Sequence, residues 1–287
     1  MLKKIIAAAG VMLTALFGHA QAADVVMAVT DVEGLEQLQQ EFGAVETALE
    51  KSTGLEVELF PVASRTAAVE AMNSSQVNFV LTGPAEYVVM KELTDAQIVV
   101  AWQRPDYFGQ IVTLADGPIK TAADLKGKTV SFGSVGSTSQ QLGPAQALAD
   151  LGLDYGADYD AQIIKRNVAI EALIRGDIAG IGMNFGHLRK ARKAYPDVAF
   201  KVVARGPDLP NDILVSSATV DGKVLEKVRD AFVEDGAAIM KAVLKGDDNQ
   251  KYAGGFFLDK VNDADYDYVR SMYKTIGVES FGAFVGD

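Results

Sequence analysis

Short apolar runs alternating with helix-spaced segments, once in each half of the sequence, constrain this chain most. Residues 25–29 form an apolar run that ends at Thr30 and Asp31. Residues 35–52 follow, with Leu35, Leu38, Phe42, Val45 and Leu49 at helical spacing, and Gly54 closes them. Residues 55–61 alternate, with Leu55, Val57 and Leu59 on one face and Glu56 and Glu58 on the other. A helix over 66–72, a buried strand over 77–81, a helix reaching Leu93 and a strand over 98–101 complete the first series. Strand and helix in strict alternation predict a doubly wound parallel α/β unit.

The rhythm breaks after Trp102, where residues 107–114 read as one extended crossing. It restarts with a strand near 129–132, a helix over 140–151, a strand over 162–165, a helix over 168–175, a strand over 179–183, a helix over 186–194 and a strand over 199–204. Pro207, Pro210 and Asn211 punctuate the chain before a second extended crossing at 213–216, and the remainder reads as helical over 224–245 and 264–276. The expected architecture is α/β: two doubly wound lobes joined by a two-crossing hinge. Residues 23–110 with 213–287 make the first lobe and residues 111–212 the second.

The richest local chemistry lies in 128–144, KTVSFGSVGSTSQQLGP. A strand enters it and a helix leaves it. Between them Gly133, Ser134, Gly136, Ser137, Thr138 and Ser139 make a glycine-hydroxyl turn. The first N–H groups of a helix have no partners within it, and its dipole is positive at that end. With three adjacent hydroxyls, such a turn can hold a tetrahedral oxyanion without a fixed cation. Taken alone, it reads first as a helix cap. In open α/β sheets, ligands bind beyond the carboxyl ends of the strands. Asp31, Arg65, residues 82–87, the hydroxyl turn and Asn184 all fall there and converge if the lobes face each other. Trp102 and Tyr107 flank the first crossing, where either packs or lines the cleft. His187 reads as the exposed first turn of a helix.

Composition narrows the functions. Lys3 and Lys4, an apolar run over 5–17 and Ala20-Gln21-Ala22 read as a cleavable leader over 1–22, which predicts export. No cysteine follows that run to carry a lipid anchor, and the absence of cysteine throughout excludes disulfides and thiolate metal sites. Only His187 remains beyond the leader, so a multi-histidine zinc site is excluded and no cofactor is expected. A net charge of −11 argues against nucleic acid and anionic membranes as partners. An acidic protein that binds an anion must do so with local donors. No nucleophile–base pair is legible, and Glu56/Glu58 and Asp247/Asp248 lie at exposed-looking positions, so an enzyme is not expected.

Three stretches together resemble the periplasmic phosphate/phosphite/phosphonate-binding proteins of ABC transporters, which have the type II periplasmic binding fold. LTGPAEY at 81–87 is similar to that family's Gly-Pro-x-x-Tyr turn. DLKGKTVSFGSVGSTSQQLGP at 124–144 is similar to its strand and Ser-Thr-Ser loop. PDLPNDILV at 207–215 is similar to its IPNDP crossing. Order and spacing fit over nearly all of the chain beyond the leader. The resemblance implies a monomeric periplasmic receptor that closes on a small oxyanion and hands it to an inner-membrane permease. It implies that Ser137, Thr138, Ser139 and the Tyr87 hydroxyl hold the anion, with a ring that packs the lobe edge as the alternative for Tyr87. The chain also departs from the pattern. Arg65 stands where the family has a pocket tyrosine, Arg166-Asn167 where it has a histidine–acid pair, and Ala179 where it has an aspartate. Asn184 occupies a position where Asn or Asp is usual. If both arginines enter the cleft, they favour a compact oxyanion over an amino-phosphonate. A sensor partnering a membrane kinase, or a receptor for another oxyanion such as a sulfonate, would show the same features.

Overall fold

The computed structural model describes residues 23–32 and 34–283. The expected leader, 1–22, lies outside the described residues. Two sheets organise the chain. The first has six strands in the order β11-β4-β10-β3-β1-β2: β1 (Val25–Val29), β2 (Val57–Phe60), β3 (Phe79–Thr82), β4 (Gln97–Trp102), β10 (Asp212–Ser216) and β11 (Phe257–Leu258). The second has five, in the order β7-β6-β8-β5-β9: β5 (Phe108–Leu114), β6 (Thr129–Phe132), β7 (Asp160–Ile163), β8 (Gly180–Asn184) and β9 (Phe200–Asp208).

Each sheet is covered on both faces. In β1, Val25, Met27 and Val29 point into a core shared with α1 (Leu35–Thr53), α7 (Gly222–Glu234) and α8 (Gly236–Val243). Ala28 points the other way, toward α2 (Arg65–Asn73), α3 (Pro84–Thr94) and α9 (Asp267–Thr275). This is the period of two that a strand buried on both faces must show. In the second sheet Ile111, Val130 and Phe132 face α4 (Gly143–Ala149). Val112, Ile181 and Met183 face α5 (Arg166–Arg175) and α6 (Phe185–Ala194).

The strands are not all parallel. β1 pairs parallel with β2 and β3, but β10 inserts antiparallel between β3 and β4. Local alternation cannot show this, because β10 returns only after the whole second sheet has been built. Likewise β5 runs antiparallel to both β8 and β9. The chain leaves the first sheet after Trp102 and enters the second at Phe108. It returns between Asp208 and Asp212. The boundary expected at Gln110 therefore moves to the preceding loop, since Gln110 pairs with Met183 and Arg205 inside the second sheet. Trp102 belongs to the core, with the rings of Phe232, Tyr252 and Phe257 at 5.1–5.6 Å. The helix expected over 224–245 is two, broken at Asp235. Among the described residues, no helix is long and apolar enough to cross a membrane.

Candidate ligand-binding cleft

A cleft of about 840 Å³ opens between the carboxyl ends of the two sheets. The first turns of α2, α3, α5 and α6 and the hydroxyl turn after β6 all contribute to its lining. Several helix N-termini thus meet in one cavity, which supplies positive potential despite the acidity of the whole chain.

The hydroxyl turn is held rigidly. Gly136 adopts φ +72°, which places its N–H on Gln141 Oε1 at 2.7 Å. Gln141 Nε2 in turn donates to the Tyr155 hydroxyl at 2.9 Å. The Ser137 carbonyl accepts from both Gln141 N and Leu142 N at 3.0 Å, so residues Thr138–Leu142 form one wide helical turn ahead of α4. This turn lies directly on β8, where a Cβ at Gly182 would meet the Gln140 carbonyl oxygen at 2.6 Å. The helix expected over 140–151 therefore starts earlier, in a wider coil, and ends at Ala149.

Six of the seven expected site residues line the cleft: Arg65, Ser137, Thr138, Ser139, Arg166 and Asn184. Asn184 caps α6 by accepting from the His187 N–H at 2.8 Å. That fixes its amide orientation, so Nδ2 donates to Ser139 Oγ at 3.0 Å. Ser139 also hydrogen-bonds Tyr107, which lines the cleft beneath the Arg104 guanidinium. Thr138 Oγ1 accepts from the Ala85 N–H at 3.0 Å, joining the loop of the second lobe to the start of α3 in the first. With that lone pair occupied, the Thr138 O–H remains a donor.

Tyr87 is not in the cleft. Its ring is buried 4.5 Å from that of Tyr266, and its hydroxyl donates to Asp263 Oδ1 at 2.8 Å. A one-residue step turns a helix by about 100°. On α3 that step gives the cleft face to Glu86 and turns Tyr87 toward α9.

The two arginines differ. Arg65, the first residue of α2, reaches Asp31 Oδ1 at 2.7 Å, pairs with Glu86, and donates to the Val135 carbonyl across the cleft at 3.3 Å. It enters the cleft, but two carboxylates offset the positive charge expected of it. Arg166, the first residue of α5, has no ion pair among the described residues. Its Nη1 contacts His187 Nε2 at 2.8 Å and Gln140 Oε1 at 3.5 Å. Burial pulls Arg166 below its ordinary pKa, but a guanidinium stays charged in proteins. Burial, then Arg166, Arg104, Lys190 and Lys251, hold His187 well below its ordinary pKa. The imidazole is therefore neutral: Nε2 accepts from Arg166 and the proton sits on Nδ1. His187 is half-buried and belongs to the site, contrary to its expected place on an exposed turn.

Other cleft residues escaped the sequence reading. Asp212 accepts from Tyr252 at 2.7 Å and pairs with Arg104 at 3.4 Å and Lys251 at 3.9 Å. Burial pushes Glu86 up to about 7, with Asp31 adding to the shift and Arg65 opposing it. Glu86 Oε2 and Asp212 Oδ1 have no donor among the described residues. Glu86 and Asp212 stood within stretches already singled out. Arg104 and Lys251 carried no local signal.

Two α/β lobes, two crossings and a polar cleft between strand ends define a type II periplasmic binding protein. The profile of the ABC transporter, phosphonate, periplasmic substrate-binding protein family matches residues 27–266, and the chain belongs to that family. Solved structures share the fold at low identity. A binding protein component of an ABC phosphonate transporter from Pseudomonas aeruginosa superposes with TM-score 0.66 at 17% identity, over 86% of this chain and 84% of its own. PhnD1 from Prochlorococcus marinus, in complex with methylphosphonate, gives 0.69 at 16%, over 88% and 98%. The periplasmic aliphatic sulphonate-binding protein SsuA from Escherichia coli gives 0.60 at 16%, over 89% and 88%.

Proposed function

We propose that the cleft binds a small oxyanion of the phosphate, phosphite or phosphonate type for an inner-membrane permease. The observation that carries this reading is Arg166, a cleft guanidinium without a carboxylate partner among the described residues, in the same cleft as the hydroxyls of Ser137, Thr138 and Ser139. An oxyanion there accepts charge-assisted hydrogen bonds from the guanidinium and from the hydroxyls. Lobe closure brings both walls onto the ligand, so binding and closure are linked. The protein acts as a monomer after removal of its leader.

The likeness to a sulphonate-binding protein supports a second reading, a sulfonate ligand. The family match, to phosphonate-binding proteins, favours phosphorus over sulfur.

The test is a thermal-shift panel of phosphate, phosphite, methylphosphonate, 2-aminoethylphosphonate, sulfate and ethanesulfonate on the purified protein without its leader. The expected result is stabilisation by the first three and weaker effects from the rest. Preference for the sulfonate would establish the second reading. A response to none of the anions would remove the oxyanion assignment.

A further inference from the structure

The charges lining the cleft are balanced on one wall and not on the other. In the first lobe Arg65 faces Asp31 and Glu86, while Arg104 and Lys251 share Asp212. In the second lobe Arg166, Arg189 and Lys193 line the cleft with no ion pair among the described residues. Lys190 meets Asp248 of the opposite lobe at 3.7 Å, but both side chains are largely exposed. Arg192 donates to the Phe200 carbonyl instead.

Arg189 and Lys193 are four residues apart on α6, so they share a face one turn apart. That face runs about 6 Å along the helix at 1.5 Å per residue and points well away from His187, although both border the same cleft. The cleft that it borders, about 840 Å³, is of the size that accommodates organic ligands and exceeds the need of one four-oxygen anion.

We propose that the physiological ligand carries a second anionic group, seated on the Arg189–Lys193 face of α6 when its oxyanion head lies on Ser137–Ser139 and Arg166. The class is a two-headed anion: an organophosphonate or phosphate ester bearing a carboxylate or a second phosphoryl group. The proposal rests on the oxyanion reading above and extends it from the head group to the whole ligand. A purely steering role for α6 makes a different prediction. A diffuse positive field assists every anion, whereas a subsite rewards only the ligand that reaches it.

Calorimetric titration of methylphosphonate and phosphonoacetate, which differ by one carboxylate and its charge, separates these cases when run at low and at high ionic strength, because salt screens a diffuse field more than a direct contact. Both ligands are titrated into the protein without its leader and into the Arg189→Gln/Lys193→Gln variant. Because both side chains are exposed, the variant should fold. The expected result is phosphonoacetate binding at least about tenfold tighter than methylphosphonate, with most of that advantage lost in the variant. The proposal is overturned if phosphonoacetate is no tighter in the unmodified protein, or if the variant weakens both ligands by the same factor. Methylphosphonate bound without a phosphonoacetate advantage removes this inference and leaves the oxyanion reading standing. Binding of neither removes both.

Discussion

At the scale of single residues, the site depends on which charges are already answered. Arg65 and Arg166 look alike in the sequence, each opening a helix after a strand. They differ because Asp31 and Glu86, remote from one another in the chain, converge only on Arg65. Arg166→Gln should weaken methylphosphonate binding by about 1.5–3 kcal/mol, the range for a hydrogen bond to a charged group. Arg65→Gln should act mainly on stability, since it leaves the buried Glu86 carboxylate without its cation. Paired titrations and denaturant midpoints of the two variants would check this contrast. Glu86 has its own signature. Burial raises its pKa from the ordinary carboxylate range to about 7, so the folded state holds that proton more tightly than the unfolded chain. Its contribution is fully present below about pH 4.5 and is lost as pH rises through about 7. Denaturant midpoints at pH 5 and pH 8 should show that decline in the ligand-free protein, and Glu86→Gln should reduce it. The hydroxyl turn, Arg166 and Asn184 were legible because a strand followed by a glycine-hydroxyl turn, or by a helix start, has local signals. Glu86 was hidden by its neighbour: the motif pointed to Tyr87, and only the phase of α3 decides which of the two faces the cleft.

At the scale of elements, the signals that worked were apolar runs and helix stops. Gly54 closes α1 where the sequence suggested, in the left-handed conformation, and β1 and β3 sit where continuous apolar runs required buried strands. Pairing depends on distant segments, so the antiparallel insertion of β10 and the short edge strand β11 left no local trace. The wide turn at Thr138–Leu142 was also hidden, because it is set by the close approach of Gly182 to Gln140. Asn184 ties two elements together, capping α6 and orienting Ser139. Asn184→Ala should therefore lower stability by about 1 kcal/mol, as cap removal does, and weaken anion binding as well. A variant that binds methylphosphonate normally would show that Ser139 needs no such support.

At the scale of the whole molecule, the two crossings at residues 103–107 and 209–211 allow one lobe to move against the other. Contacts already span the cleft: Arg65 to Val135, Ala85 to Thr138, and Lys190 to Asp248. Small-angle scattering should show a smaller radius of gyration at saturating methylphosphonate than without it, and no change with proven binding would contradict hinge closure. The alternation of strands and helices made the two-lobed plan legible. Its charge logic was not, because an acidic chain conceals a cleft wall whose arginines and lysine, without ion pairs among the described residues, come from separate helices. The central claim is that the hydroxyl turn holds the oxyanion head. Calorimetric titration of methylphosphonate into the Ser137→Ala/Thr138→Ala/Ser139→Ala variant tests it most directly, with circular dichroism to verify folding. The account predicts a loss of at least about a hundredfold in affinity, whereas unchanged affinity in the folded variant would reduce the turn to a helix cap and contradict the account.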